Sequence, residues 1–434
     1  MSAAVGLWFR GEWICELRSI CLCFIGLSIT ANSAAACGQR THVEMARRAV
    51  DDFLAREGDL LPGIDHLFDS DEVRAAFYCG AMFPDWGYQG IDPDAGEATH
   101  WHAFQEALFD LVALRIGPGE WTRDDRLRVA FFLGVVSHGV TDNPWHFSAP
   151  SRRSFLARAR DEDGSTHSGC ELVGDLVLHA DRARRIRLDH DDLYWPVDEV
   201  LEALRASGHP TTRDRLRSGC FRMEATWRAA ALGATPLLAA LRGDHPWVVR
   251  HLEDYSFGGI AHGAAGTAVW SRHYYARFRG WYTFQDTPEY GRRAGEHCYT
   301  YAGCEDGEDP VLEVGPDRAP ELRFDVSSIP PATEIASATL WLHAIAVPAG
   351  ATRLVAPGAG AATIGGAGWV GLDATGNVRD GIGGGSARIS LRATGPCRFD
   401  SSAAFDDSAD GFGGGIRVAY RPLLILGRFP RAFW

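Results

Sequence analysis

The chain has 434 residues, too many for one ordinary domain, and a globular composition with 46% hydrophobic and 23% charged residues. Its 43 basic and 56 acidic side chains leave a formal charge of −13, which disfavours a surface that holds nucleic acid by neutralising phosphates. Lysine is absent, so Schiff-base and lysine-nucleophile chemistry are excluded.

In chain order, "ICLCFIGLSI" (20–29) is an apolar core of export-signal length, too short to cross a bilayer. "TANSAAAC" follows with small residues suited to cleavage before Cys37, so residues 1–36 read as a signal peptide, with an N-terminal anchor as the alternative. Lipidation of Cys37 stays open, because the usual leucine three residues before the cysteine is missing. The reading places the protein outside the cytoplasm: secreted, periplasmic or at the cell surface. Seven cysteines would remain after cleavage. None forms a CxxC pair, and Cys298 with Cys304 is the simplest disulfide to expect in an oxidising compartment.

Residues 37–300 are helical in pattern. Segments 41–58, 100–116, 125–142, 170–186 and 195–208 each repeat apolar residues at helical spacing, and 233–278 reads as two or three more helices. After about residue 300 the texture changes. Short alternating stretches at 321–326, 338–347, 387–393 and 416–422 are separated by glycine-rich loops, which points to an antiparallel β-sandwich over 301–434. The fold class expected is therefore multidomain: an all-α domain followed by a β-sandwich.

Chemistry concentrates in the helical half. "FFLGVVSHGVTDNPWH" (131–146) ends an apolar helix with His138, Asp142 and His146, each four residues from the next. "THSGCE" repeats the spacing with His167 and Glu171, and i,i+4 places two side chains on one helix face. His42 in "THVE", Asp85 in "FPDW" and His100 in "ATHWH" complete five histidines and three carboxylates. Imidazole nitrogen and carboxylate oxygen are zinc donors, and several such groups buried without metal would leave costly unpaired polar atoms. Asn143–Pro144 is expected to bend or end the helix after Asp142, turning His146 toward a different metal. Asp175, four residues beyond Glu171, reads as support for a ligand or as packing. Trp86, Tyr88, Trp101 and Trp145 read as pocket walls or as core.

Residues 37–280 resemble the zinc-dependent phospholipase C superfamily, most closely the N-terminal catalytic domain of glycosylphosphatidylinositol-specific phospholipase D. The blocks "CGQRTHVEMARRAVDDFL", "AMFPDWGYQG", "EATHWHAF", "VAFFLGVVSHGVTDNPWH", "THSGCELVGDLVL", "WPVDEVLEAL" and "SFGGIAHGAAGTAVWS" carry the likeness in order. The resemblance implies an all-α domain with two to three Zn²⁺ ions held by His42, Asp85, His100, His138, Asp142, His146, His167 and Glu171. It groups His146, His167 and Glu171 on one ion and the others on a closely spaced pair sharing a carboxylate such as Asp142. Asp85 is either ligand or catalytic base. The superfamily's N-terminal tryptophan ligand is absent here, where the mature chain would begin at Cys37. "LRFDVSSIPPATEIASATLWLH" resembles the DNRLRE-type β-sandwich modules of cell-surface proteins, which implies a binding or spacer role, carbohydrate or cell surface included.

The activity expected is phospholipid hydrolysis of C or D type at a membrane surface, with a glycosylphosphatidylinositol-like substrate included. The alternatives are a single-strand nuclease of the same fold, which the charge and the 138–146 spacing disfavour, and a non-catalytic zinc-stabilised surface protein.

Overall fold

The computed structural model describes residues 38–279 and 311–428, apart from 401–422 and short stretches at 56–62, 89, 117–119, 149–152, 182–185, 187, 189–192, 328, 330–334, 348–349, 351 and 359. The expected signal peptide, Cys37, Cys298, Cys304, the 416–422 segment and the boundary near residue 300 lie outside the described residues.

Twelve helices make up the described part of the first domain. They are α1 (Gln39–Ala55), α2 (Ile64–Leu67), α3 (Asp71–Met82), α4 (Pro93–Thr99), α5 (His102–Ile116) and α6 (Arg123–His146), then α7 (Phe155–Asp163), α8 (His167–Ala180), α9 (Val197–Ala206), α10 (Arg213–Leu241), α11 (Pro246–His251) and α12 (Ile260–Phe278). A 3-10 turn, Phe83–Gly87, follows α3. Thr122 opens α6 with a capping box completed by Asp125, and Thr166 accepts from the Gly169 N–H to open α8. Helix α6 is the central strut. Phe131, Phe132, Leu133, Val135 and Val136 are all buried, so its apolar run covers every side rather than one stripe.

Glycines let α3 and α6 cross closely. A Cβ on Gly80 would lie 2.0 Å from the Phe131 carbonyl oxygen, and one on Gly134 would lie 2.1 Å from that of Phe77. The crossing brings the Ala81 carbonyl within reach of His138.

Two elements differ from the sequence expectation. Helix α6 continues through Pro144 to His146. The missing proline N–H falls in the last turn, which the Phe147 N–H closes on the Asn143 carbonyl at 3.1 Å. His138, Asp142 and His146 therefore share one unbroken stripe. Helix α10 also starts at Arg213 and runs through Gly233 and Pro236, well before the expected 233. Neither breaker prevails, because its buried side is fixed by packing along α8 and the Phe83–Gly87 turn.

In the second domain all described strand pairings are antiparallel. One sheet runs β1 (Val311–Val314), β9 (Cys397–Asp400), β3 (Ile335–Ala346) and β10 (Leu423–Arg428), with β6 (Gly368–Asp373) also on β3. β2 (Glu321–Asp325) pairs β7 (Ser386–Ser390), and β4 (Thr352–Val355) lies between β5 (Ala361–Ile364) and β8 (Arg392–Ala393). The three sheets and helix α13 (Thr375–Ile382) share one core. The strand β5 falls in a stretch read from sequence as loop. The alanine and glycine positions around it carry little alternation, and its place is set by pairing with β4.

Period-2 alternation along β3 joins the domains. Ala338, Leu340, Leu342 and Ala344 enter the β core, while Trp341 packs into the helical core and His343 meets Tyr255. The Tyr255 hydroxyl lies 2.9 Å from His343 Nε2, and His343 Nδ1 lies 2.7 Å from the buried Asp400 carboxylate. Arg272 of α12 sits over Trp341 and donates to Asp52.

Candidate metal centre

Five elements deliver the eight donor residues. His42 comes from the first turn of α1, Asp85 from the 3-10 turn and His100 from the end of α4. His138, Asp142 and His146 come from α6, and His167 with Glu171 from the first turns of α8. Side chains at i and i+4 stack on one face, so Asp142 meets both of its helical neighbours. Its Oδ2 lies 3.3 Å from His138 Nε2, and its Oδ1 lies 3.4 Å from His146 Nε2. From other elements, His42 Nε2 reaches Oδ1 at 3.4 Å and His100 Nε2 reaches Oδ2 at 4.0 Å. Asp85 Oδ1 faces His100 Nε2 at 3.4 Å and His138 Nε2 at 3.7 Å.

The groups fall into three sets: His42, His138 and Asp142; Asp85, His100 and His138; and His146, His167 and Glu171. Two donors about 2.1 Å from a tetrahedral zinc lie about 3.4 Å apart, and the distances above cluster at that value. All eight expected residues are thus brought together, and His146 joins His167 and Glu171 without a helix break.

The tautomers favour metal. His138 Nδ1–H donates to the Ala81 carbonyl at 2.8 Å and His100 Nδ1–H to that of Gly96 at 3.0 Å. The Thr141 hydroxyl donates to the His138 carbonyl and so accepts from His42 Nδ1–H at 2.6 Å. Each Nε2 lone pair is left pointing inward, the arrangement in which outer partners orient a ligating imidazole. Nε2 of His100, His138 and His146 and Oδ1 of Asp85 are buried without a hydrogen-bond partner among the described residues. Buried polar atoms are rarely left so, and the donor set fits zinc. His138 falls in two sets but has a single inward lone pair; Asp142, with two oxygens, is the group able to bridge a pair.

Burial and mutual proximity shift the donors' protonation in opposite directions. Burial lowers the His42 pKa to about 4, helped by the neighbouring His138. Burial also opposes charge on His138, but the Asp142 and Asp85 carboxylates overcome it and raise its pKa to about 9. Burial works against ionised Asp142 too, and the histidines on either side hold its carboxyl well below the usual range. Burial pushes Glu171 up to about 7 despite its contact with His167.

Asp175 supports the site from behind. Its carboxylate accepts from the Thr41 N–H at 2.9 Å, the Arg40 N–H at 3.1 Å and the Thr41 hydroxyl at 3.0 Å, capping α1 one residue before His42. Gly38 makes room, since a Cβ there would lie 2.3 Å from the Asp175 carboxyl carbon. Trp86 and Trp145 prove to be core, each fully buried. Tyr88 and Trp101 are half-buried beside the site, and both donate to Glu97, a residue that sequence spacing did not single out. Glu97 stands three residues before His100, so the i,i+3 relation was its available signal. His102 pairs with Glu106 away from the donors.

Comparison with known proteins agrees with this geometry. Residues 41–207 match the family model of zinc dependent phospholipase C. The phosphatidylinositol-glycan-specific phospholipase D of Dictyostelium discoideum is 26% identical over 62% of this chain and 28% of its own length. Those of Homo sapiens and Mus musculus are 26% and 24% identical over 58% and 57% of this chain, and 30% and 29% of theirs. The chain therefore spans less than a third of the length of these relatives. No solved structure matches it. All eight donors converge inside the matched region, and the helical domain of this chain is similar to zinc dependent phospholipase C over residues 41–207.

Proposed function

We propose that the protein is an exported zinc-dependent phosphodiesterase that hydrolyses phospholipids by C- or D-type cleavage. The observation that carries the reading is the convergence of three His/carboxylate sets in a domain similar to this family. His42, Asp85, His100, His138 and Asp142 would hold two zinc ions, and His146, His167 and Glu171 would hold a third. Bound zinc supplies positive charge for the phosphate and acidifies water near neutral pH. Asp85 is the catalytic base: Oδ1 faces the histidines, and its other oxygen accepts the proton of the attacking water. Three ligand carboxylates then sit among cations worth +6, so an anionic phosphate is favoured in a chain whose formal charge is −13. The names of the relatives make a phosphatidylinositol-glycan headgroup a specific candidate substrate. The β domain serves as an accessory module for carbohydrate or the cell surface.

The test is to incubate the zinc-loaded protein with phosphatidylcholine and phosphatidylinositol vesicles and identify the phosphorus products. Headgroup phosphate with diacylglycerol means C-type cleavage, and phosphatidate means D-type. Zinc bound with no lipid cleaved would defeat the proposal and turn attention to single-stranded nucleic acid.

A further inference from the structure

Helix α10 presents an outer face that the catalytic reading leaves without a role. Of the five large apolar side chains exposed among the described residues, it carries Phe221, 69% exposed, and Leu232, 81% exposed. They stand eleven residues apart, which is three turns with an angular offset of about 20°. Both therefore project from one side of the helix.

The same stretch is basic in an acidic chain. Residues 213–242 contain Arg213, Arg215, Arg217, Arg222, Arg228 and Arg242 against Asp214 and Glu224. Asp198, Asp92 and Glu224 form ion pairs with Arg213, Arg215 and Arg228. Within the stretch itself six arginines stand against two acids. Exposed phenyl and isobutyl groups among arginines on one helix are the pattern of an element lying in a lipid headgroup layer.

The buried side of α10 rests on the site. A Cβ on Gly219 would lie 2.4 Å from the carbonyl oxygen of Trp86, next in sequence to Asp85. The Trp227 ring meets His179 of α8, the helix that bears His167 and Glu171, at 5.0 Å between centroids. One helix diameter, about 10 Å, thus separates the outer face from two donor-bearing elements.

We propose that this face docks the protein on an anionic phospholipid bilayer, Phe221 and Leu232 entering the headgroup boundary and the arginines meeting lipid phosphates; its purpose rests on the phospholipase reading. Docking raises the local concentration of bilayer substrate at the metal centre without taking part in bond cleavage.

The test uses the full chain with phosphatidylcholine vesicles, with or without phosphatidylglycerol, alongside a short-chain phosphatidylcholine kept below its micellar concentration. The wild type should sediment with anionic vesicles about tenfold more tightly than with neutral ones, and lose that preference at high salt. Phe221→Asp with Leu232→Asp should weaken vesicle binding at least about tenfold while leaving turnover of the monomeric lipid within about twofold. Arg217→Gln with Arg222→Gln should weaken anionic binding and spare neutral binding. Vesicle binding by the apolar double variant equal to wild type overturns the proposal, as does failure of the wild type to bind anionic vesicles. So does a wild-type dimer that the variant dissociates without change in vesicle binding, which would make the face a contact between copies. Docking with no turnover of short-chain phosphatidylcholine or of phosphatidylinositol supports the surface while defeating the phospholipase reading.

Discussion

At the residue scale, the decisive group is Asp142, which lies within 4.0 Å of Nε2 of four histidines, His42, His100, His138 and His146. Asp142→Asn keeps the shape but removes the charge that balances the cluster. It is expected to lose at least one zinc per molecule by atomic emission, and activity with it. Asp85→Asn should leave folding intact and lower kcat at least about a hundredfold, read beside zinc content so that lost base and lost ligand are separated. Metal uptake should depend on pH through His138. With its pKa raised to about 9, His138 is protonated at pH 7 without metal, so zinc must displace that proton. His42, lowered to about 4, has none to give. Zinc affinity should therefore rise about tenfold per pH unit between pH 8 and 9, more steeply near pH 7 where Glu171 also titrates, and calorimetry at pH 8 in two buffers of different ionisation enthalpy should show about one proton released. A pH-independent affinity would contradict this assignment. Asp142 and the histidines were legible in sequence because i,i+4 spacing is a local property. Glu97 was not singled out: its Trp101 contact is itself i,i+4, but the Tyr88 hydroxyl meets it only once α4 is folded beside the 3-10 turn.

At the element scale, the placement of His42 and His138 depends on how helices approach one another. Asp175 caps α1 across a separation of more than a hundred residues, holding two backbone N–H groups. Asp175→Ala takes the acceptor from the Arg40 N–H and the Thr41 hydroxyl, while the Thr41 N–H keeps the Gly38 carbonyl, and should cost about 1 to 3 kcal/mol, measured by denaturant unfolding of the metal-free protein. The α3–α6 crossing is equally demanding. Gly134→Val places side-chain atoms against the Phe77 carbonyl and should cost about 3 kcal/mol or more, with weaker zinc binding because Ala81 and His138 separate. Wild-type melting with full zinc occupancy would show the crossing to be slack. Sequence patterning placed α1, α5 and α9 within a few residues and located α6 and α8, but it named no separate helix over α2, α3, α4 or α7. It failed at Pro144 and over 213–232, where packing against α8 and the last-turn position of the proline outweigh local breaker signals.

For the whole molecule, the β domain is joined to α12 and the Tyr255 turn through polar and aromatic contacts, Tyr255–His343–Asp400 and Arg272 over Trp341. His343→Ala removes the imidazole that donates to a fully buried carboxylate and should cost about 2 kcal/mol. It should also let the β domain melt ahead of the helical one in calorimetry, whereas a single unshifted transition would show the junction to be energetically minor. No helix among the described residues is long and apolar enough to cross a membrane.

The sequence by itself determined the division into a helical and a β half, the composition of the donor set and the His138–Asp142 pairing on α6. Each of these is a matter of periodicity or spacing along one segment. Tertiary structure decided which donors share a metal position, that His146 meets His167 and Glu171, that Asp175 caps α1, and that Trp86 is core while Phe221 is exposed. Those outcomes depend on contacts between segments far apart in the chain, where burial and the need to satisfy polar groups select one arrangement. A single strand of residues cannot encode that choice in its local pattern.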